Sequence, residues 1–214
     1  MSASQPRSGK NSRTTYPEAH LERPWGVVHA AGEFVVRKLI VSSFVSLDGV
    51  IEAPMNWASP FFIGDALEHS YAKAGEAEYF LLGRVTYELF SSRWPQIQGK
   101  YMDRMNGLKK LVASRTLKEV GWNASLIEGD VVEGIAEIKA QGGGDILKYG
   151  VTQLDQTLLA NKLVDEYQLS ILPTRVGHGK RAFQNVDPSL VRLELVNTKR
   201  FESGVVTLTY RVLK

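Results

Sequence analysis

Residues 145–173 read DILKYGVTQLDQTLLANKLVDEYQLSILP. DILKYG is a short apolar run closed by a glycine, the pattern of a buried strand. VTQLDQTLLANKLV places Leu154, Leu158 and Leu159 on one side of a helix. DEYQLSILP is again a strand, and Pro173 terminates it. A helix between two strands makes a crossover connection, so the two strands are expected to run parallel.

The same alternation continues upstream. VVRKLIVSSFVS, from Val36, is β-rich and ends at the turn signal Asp48-Gly49. A loop with Pro54, Trp57 and Pro60 follows, then GDALEHSYAKAGEAE, a helix with Ala66, Leu67, Tyr71, Ala74 and Ala77 as its apolar face. Tyr79–Leu82 reads as a buried strand closed by Gly83. RVTYELFSSRW is helical and stops before Pro95. KKLVAS is a strand and SLIEG a weaker one. DVVEGIAEIKAQGGG is a helix with Asp130 as N-cap, Val131, Ile135 and Ile138 as its apolar side, and glycines as its stop. Downstream, VRLELVNTKRF and GVVTLTYRVL flank Glu202-Ser203-Gly204, a hairpin turn. The expected fold class is α/β: a mainly parallel central sheet flanked by helices, with a C-terminal antiparallel hairpin at one edge.

One domain over residues 36–214 accounts for all of this. Residues 1–35, opening MSASQPRSGKNSRTT, have no apolar periodicity and are expected to be a disordered N-terminal extension. The 214-residue chain is 43% hydrophobic and has no cysteine, which excludes disulfides, thiolate zinc sites and a cysteine nucleophile. No apolar run approaches a membrane span. The net charge of +3 is not gathered into a basic stripe, so a nucleic-acid groove is poorly supported.

Ligands of open α/β sheets bind beyond the carboxyl ends of the strands. Four segments there carry chemistry. In Leu82-Gly83-Arg84-Val85-Thr86, a strand ends in glycine and a helix starts with donors in its first turn, which suits an anion. Tyr149-Gly150-Val151-Thr152 repeats that arrangement, with Gly150 allowing close approach and Thr152 as a donor. It lacks the three spaced glycines of the Rossmann fingerprint. Ser114-Arg115-Thr116 sets a guanidinium fork between two hydroxyls, a seat for a phosphate such as the 2′-phosphate of NADPH. Finally, Asp48 closes the first strand. It is either a turn-maker or an acid that orients a heterocycle or passes a proton, with Trp57 able to stack on the ring. Asp65 and Glu68 are rival acids on the next helix.

In this order, RKLIVSSFVSLDGVIE, LLGRVTYELF, KKLVASRTL, DILKYGVTQL and LVDEYQLSILPTRVGHGKRAF resemble the C-terminal reductase domain of the riboflavin biosynthesis deaminase/reductase and its stand-alone relatives in the dihydrofolate-reductase superfamily. The resemblance implies an NADPH-dependent oxidoreductase of a pyrimidine or pterin. Gly83, Arg84, Thr86, Gly150, Val151 and Thr152 would lie along the diphosphate, and Ser114, Arg115 and Thr116 along the 2′-phosphate. Asp48 would be catalytic, with Trp57 and Asp65 on the substrate side. These 214 residues hold no cysteine and no zinc-deaminase signature, so a stand-alone reductase without the deaminase partner is expected. A dihydrofolate-type reductase and a non-catalytic nucleotide-binding protein are the competing readings. The expected partner is a small-molecule substrate, with neither nucleic acid nor membrane, for a cytoplasmic homodimer.

Overall fold

The apolar residues of the first strand point to both sides of the chain, as a strand buried on both faces requires. In the computed structural model, which describes residues 36–214, this is β1 (Leu39–Ser46), with Leu39, Ile40, Val41 and Val45 all buried. The expected N-terminal extension, residues 1–35, lies outside the described residues. The chain continues through α1 (Gly64–Glu76), β2 (Ala77–Gly83), α2 (Arg84–Ser91), α3 (Lys100–Gly107), β3 (Lys109–Ala113) and β4 (Ala124–Leu126). It then runs through α4 (Val131–Ala140), β5 (Asp145–Tyr149), α5 (Leu154–Ala160), β6 (Glu166–Leu172), β7 (Leu193–Arg200) and β8 (Val206–Val212).

The strands form one sheet in the order β4-β3-β2-β5-β1-β6-β8-β7. All pairings from β4 to β6 are parallel, and β8 and β7 add antiparallel strands at one edge. The expected α/β class with a terminal hairpin is therefore the observed one. No helix among the described residues is long and apolar enough to cross a membrane.

The helices divide between the two faces. Leu39, Val41, Leu81, Ile146, Tyr167 and Leu169 pack with Ile135 of α4 and Leu158 and Leu159 of α5. Phe80, Leu82, Val112 and Leu147 pack on the opposite face with Tyr87 of α2 and Met105 of α3. Asp130 caps α4 as expected, accepting from Val132 N and Glu133 N. Gly142 and Gly143 take positive φ, and a Cβ on Gly143 would strike the Arg37 guanidinium at 2.7 Å. That arginine bonds Gly144 O and pairs with Glu78.

Two boundaries differ from the sequence pattern. Ala77, the expected end of the first helical face, opens β2 instead. Helix α3 has no counterpart in the pattern: it is only eight residues long, and Tyr101, Met102 and Met105 are all the apolar residues it sets on the core.

Lys110 of β3 points into this core and is 1% exposed. Its Nζ donates to Asn106 O and sits 4.3 Å from the centre of the Trp122 ring, with no carboxylate paired to it among the described residues. Burial pushes its pKa down from 10.5 to about 8. Between those values the unfolded chain holds a proton that the folded chain has released, so stability rises with pH across that window. Lys110→Met is expected to flatten part of this rise in thermal melts recorded from pH 7 to 10. An unchanged slope would assign it to other groups.

Candidate active site

The parallel strands all end on one edge of the sheet, and their ends are set side by side by the register. Gly83 is opposite Ala113 at the end of β3. Leu81 is opposite Lys148, so Gly83 and Gly150 continue that register past the end of β5. The β3, β2 and β5 ends therefore form a row two strand spacings wide, roughly 10 Å. Beyond β5 come the ends of β1 and β6, carrying Asp48 and Arg175. The chain leaves β1 towards β2 on one side, whereas β5 leads to β6 on the other. Such a switch of direction is where open α/β sheets generally bind a ligand.

The row presents several unpaired donors. Ser114 Oγ accepts from Thr116 N at 3.2 Å and Leu117 N at 3.0 Å, closing a tight turn. Arg115 and Thr116 stand exposed on that turn, and Arg115 has no ion-pair partner among the described residues. The backbone of Gly83 is extended, and a Cβ there would meet nothing within 4 Å. The chain's own packing thus places no demand for glycine at this position. Gly150 has φ +75°, which does favour glycine, and its N–H is fixed on Ser42 O at 2.8 Å. Thr86 is half-buried on the first turn of α2.

Three expected donors are arranged differently. Arg84 already holds Glu88 through two contacts of 3.0 Å, an exposed pair one helical turn apart. Thr152 turns both its N–H and its hydroxyl inward to Asp155 Oδ2, at 2.7 and 3.3 Å. Val151 is 6% exposed, with its side chain in the core, so only its backbone can face a ligand.

Asp48 is enclosed by donors. Its Oδ1 accepts from Ser46 Oγ at 2.6 Å and Val176 N at 3.1 Å, and its Oδ2 accepts from Gly177 N at 2.7 Å. The Ser46 hydroxyl first, and then the two amides, hold this carboxyl well below the ordinary range for aspartate. Next to it, Glu52, Asn56, Trp57, Arg175, Val176 and His178 line a cleft of about 390 Å³. Trp57 is anchored by its indole N–H on Glu52 O at 2.9 Å. Asp65 is turned to the hairpin and accepts from Glu202 N at 3.2 Å. Glu68 is on the surface near Lys100. Phe44, Phe61, Phe62 and Phe201 leave only about 10 Å³ beneath α1.

Residues 37–207 match the model of the RibD C-terminal domain. The chain belongs to the RibD C-terminal domain family. It is 32% identical over 179 residues to the uncharacterized protein YyaP of Bacillus subtilis (strain 168), spanning 81% of this chain and 94% of that protein. Among solved structures it is similar to a putative riboflavin biosynthesis protein from Shewanella sp. PV-4, with a TM-score of 0.65 and 22% identity over 83% of this chain and 99% of the other. The deaminase/reductase of Thermotoga maritima aligns with a TM-score of 0.60 and 15% identity over 83% of this chain and 57% of the longer protein. Dihydrofolate reductase from Enterococcus faecalis, complexed with NADP(H), aligns with a TM-score of 0.53 and 17% identity over 83% of this chain and 97% of the other. The dihydrofolate-reductase-like architecture is thereby shown.

Two features of this RibD C-terminal domain escape the sequence reading. One is the Arg175–His178 segment beside Trp57. The other is a buried polar group beneath Gly150: Lys148, Asp155 and Tyr167. A signal for it exists. Lys148 occupies an inward strand position, and an acid follows seven residues later in the first turn of a helix.

Proposed function

We propose that this chain is an NADPH-dependent reductase of a pyrimidine-type substrate, in the manner of a 5-amino-6-(5-phosphoribosylamino)uracil reductase. The supporting observation is the row of strand ends beside a tryptophan-lined cleft. Gly83 faces open space, Arg115 has no ion-pair partner, and the Val151 N–H has no acceptor among the described residues. This donor set fits a dinucleotide with an extra phosphate. Gly83, Thr86 and the Gly150–Val151 peptide would lie along the diphosphate. Arg115 and the Ser114–Thr116 turn would hold the 2′-phosphate, since the Ser114 hydroxyl, accepting two bonds, still has its proton to donate. When bound, NADPH supplies a hydride.

On the substrate side, Trp57 provides a flat apolar surface and Arg175 a cation. His178 lines the same cleft and makes no hydrogen bond among the described residues. Asp48 fixes the segment carrying Arg175 and His178 and acts as a positioning residue. The pyrimidine reading is preferred to the folate one because Asp65 is bonded to the hairpin, and α1 turns His69 and Ser70 to the sheet beneath it. A homodimer and a cytoplasmic location belong to the same reading. The exposed edge strand β7, with Leu195 and Val196 at its surface, is where a second copy would pair. A monomer in sedimentation velocity would remove that part.

The deciding experiment is NADPH oxidation with the riboflavin-pathway pyrimidine, dihydrofolate and dihydrobiopterin. Turnover of the pyrimidine alone is expected. Turnover of a pterin would favour the folate reading, whereas NADPH binding without turnover would favour a nucleotide-binding module.

A further inference from the structure

Lys148 and Asp155 form an ion pair of 2.6 Å with side-chain exposures of 2% and 0%. Two charges removed from water in this way have no general claim to stabilise a fold, since well-packed apolar residues often do as well. The remaining contacts of the pair lead to one short piece of backbone. Lys148 Nζ donates to Gly150 O at 2.6 Å. Asp155 Oδ2 accepts from Thr152 N, and its Oδ1 accepts from Tyr167 OH at 3.0 Å. Tyr167 is itself fully buried on the central strand β6. The carbonyl of Gly150 and the amide of Thr152 are thus both drawn inward, on either side of Val151.

Peptide planarity gives this a consequence. No cis bond is present among the described residues, and in a trans peptide the carbonyl and the following N–H point in opposite directions. With Gly150 O held on the buried ammonium, the Val151 N–H must point away from the core, to the open end of the sheet. The side chain of Val151, packed in the core, keeps the turn from rotating as a unit.

We propose that Lys148, held by Asp155 and Tyr167, is a positioning residue that sets the Gly150–Val151 peptide and presents the Val151 N–H to an anionic group of the cofactor. The identity of that anion rests on the reading of the chain as an NADPH-dependent reductase, while the orientation of the peptide does not. The pair makes the donor independent of ligand: the turn is formed before anything binds, so no ordering cost falls on the binding step.

The test is the double variant Lys148→Met/Asp155→Leu, which removes both charges and keeps apolar volume. Two measurements are needed: the crystal structure of the cofactor-free variant, and the NADPH dissociation constant of variant and parent. The expected result is a Gly150 carbonyl no longer directed at position 148 and a dissociation constant at least tenfold higher, alongside a lower melting temperature because Tyr167 OH and Thr152 N lose their acceptor. A merely structural pair would shift the melting temperature and leave cofactor affinity alone. An unchanged peptide, or unchanged affinity in a well-folded variant, would overturn the proposal. Should the parent itself not bind NADPH, the reductase reading fails, and the peptide orientation still decides the role of Lys148. Should the double variant not fold, Asp155→Asn preserves shape while removing the charge that anchors Lys148, and the same two measurements apply with the same outcomes.

Discussion

Arg115→Ala is expected to weaken NADPH binding roughly tenfold to a hundredfold and to leave NADH binding nearly unchanged. The magnitude is that of a lost charge-assisted fork, about 1.5–3 kcal/mol. The asymmetry follows from position. Arg115 is an exposed residue of a turn closed by Ser114, at the far end of the row of strand ends, and among the described residues has no carboxylate to neutralise it. Arg84, by contrast, is bonded to Glu88, so its removal should cost the cofactor less. A guanidinium at Arg115 would meet the 2′-phosphate that NADH lacks. Arg115→Lys retains the charge and loses the fork, and is expected to fall between parent and alanine. Fluorescence titration of both cofactors decides the matter. Equal losses for NADPH and NADH would move Arg115 away from the 2′-phosphate.

The fold was legible where burial imposes a period. Residues 145–173 show it well: the apolar run of β5, the leucines of α5 and the apolar core of β6 each follow the spacing of the element they form. Helix α3 was not legible, because its eight residues, with Tyr101, Met102 and Met105 on the core side, are too short a run to establish a period. The neighbourhood of the candidate segments was legible, though not what binds there. Glycines and donors after strands mark the ligand edge of an α/β sheet, and Gly83, Gly150 and Ser114 do stand there together. What composition could not disclose is direction. Thr152 looks like a donor for a ligand, yet its donors are taken by Asp155. Lys148 sits in a strand of buried residues, and only its partner, seven residues on, explains the charge. The opposite edge of the sheet has another character. There Arg37 pairs with Glu78, and Lys139 and Lys214 both pair with Asp165. These partners fasten strand starts to neighbouring elements.

Asp48→Asn is expected to lower kcat/KM for the organic substrate by about 10²-fold, while NADPH affinity stays close to the parent value. The carboxylate joins the end of β1 to the segment after β6 through Val176 N and Gly177 N. Those amides lie within the stretch from Arg175 to His178, which lines the same cleft as Trp57. An asparagine has one oxygen where the aspartate has two, and its NH₂ would face an amide N–H that needs an acceptor. Each unsatisfied donor costs about 1–3 kcal/mol, so the segment should relax away from its present position. The effect on turnover then comes from a displaced arginine and histidine, and the cofactor row beyond β5 is not involved. The pH dependence separates this from proton transfer. A carboxyl held well below its ordinary range by Ser46 and two amides stays ionised throughout neutral pH and cannot act there as a general acid. A positioning role therefore predicts the same fold loss at every pH from 6 to 9. If the loss instead grows or shrinks with pH along a single titration, Asp48 takes part in proton transfer. If NADPH binding falls together with turnover, the carboxylate supports the cofactor half of the site.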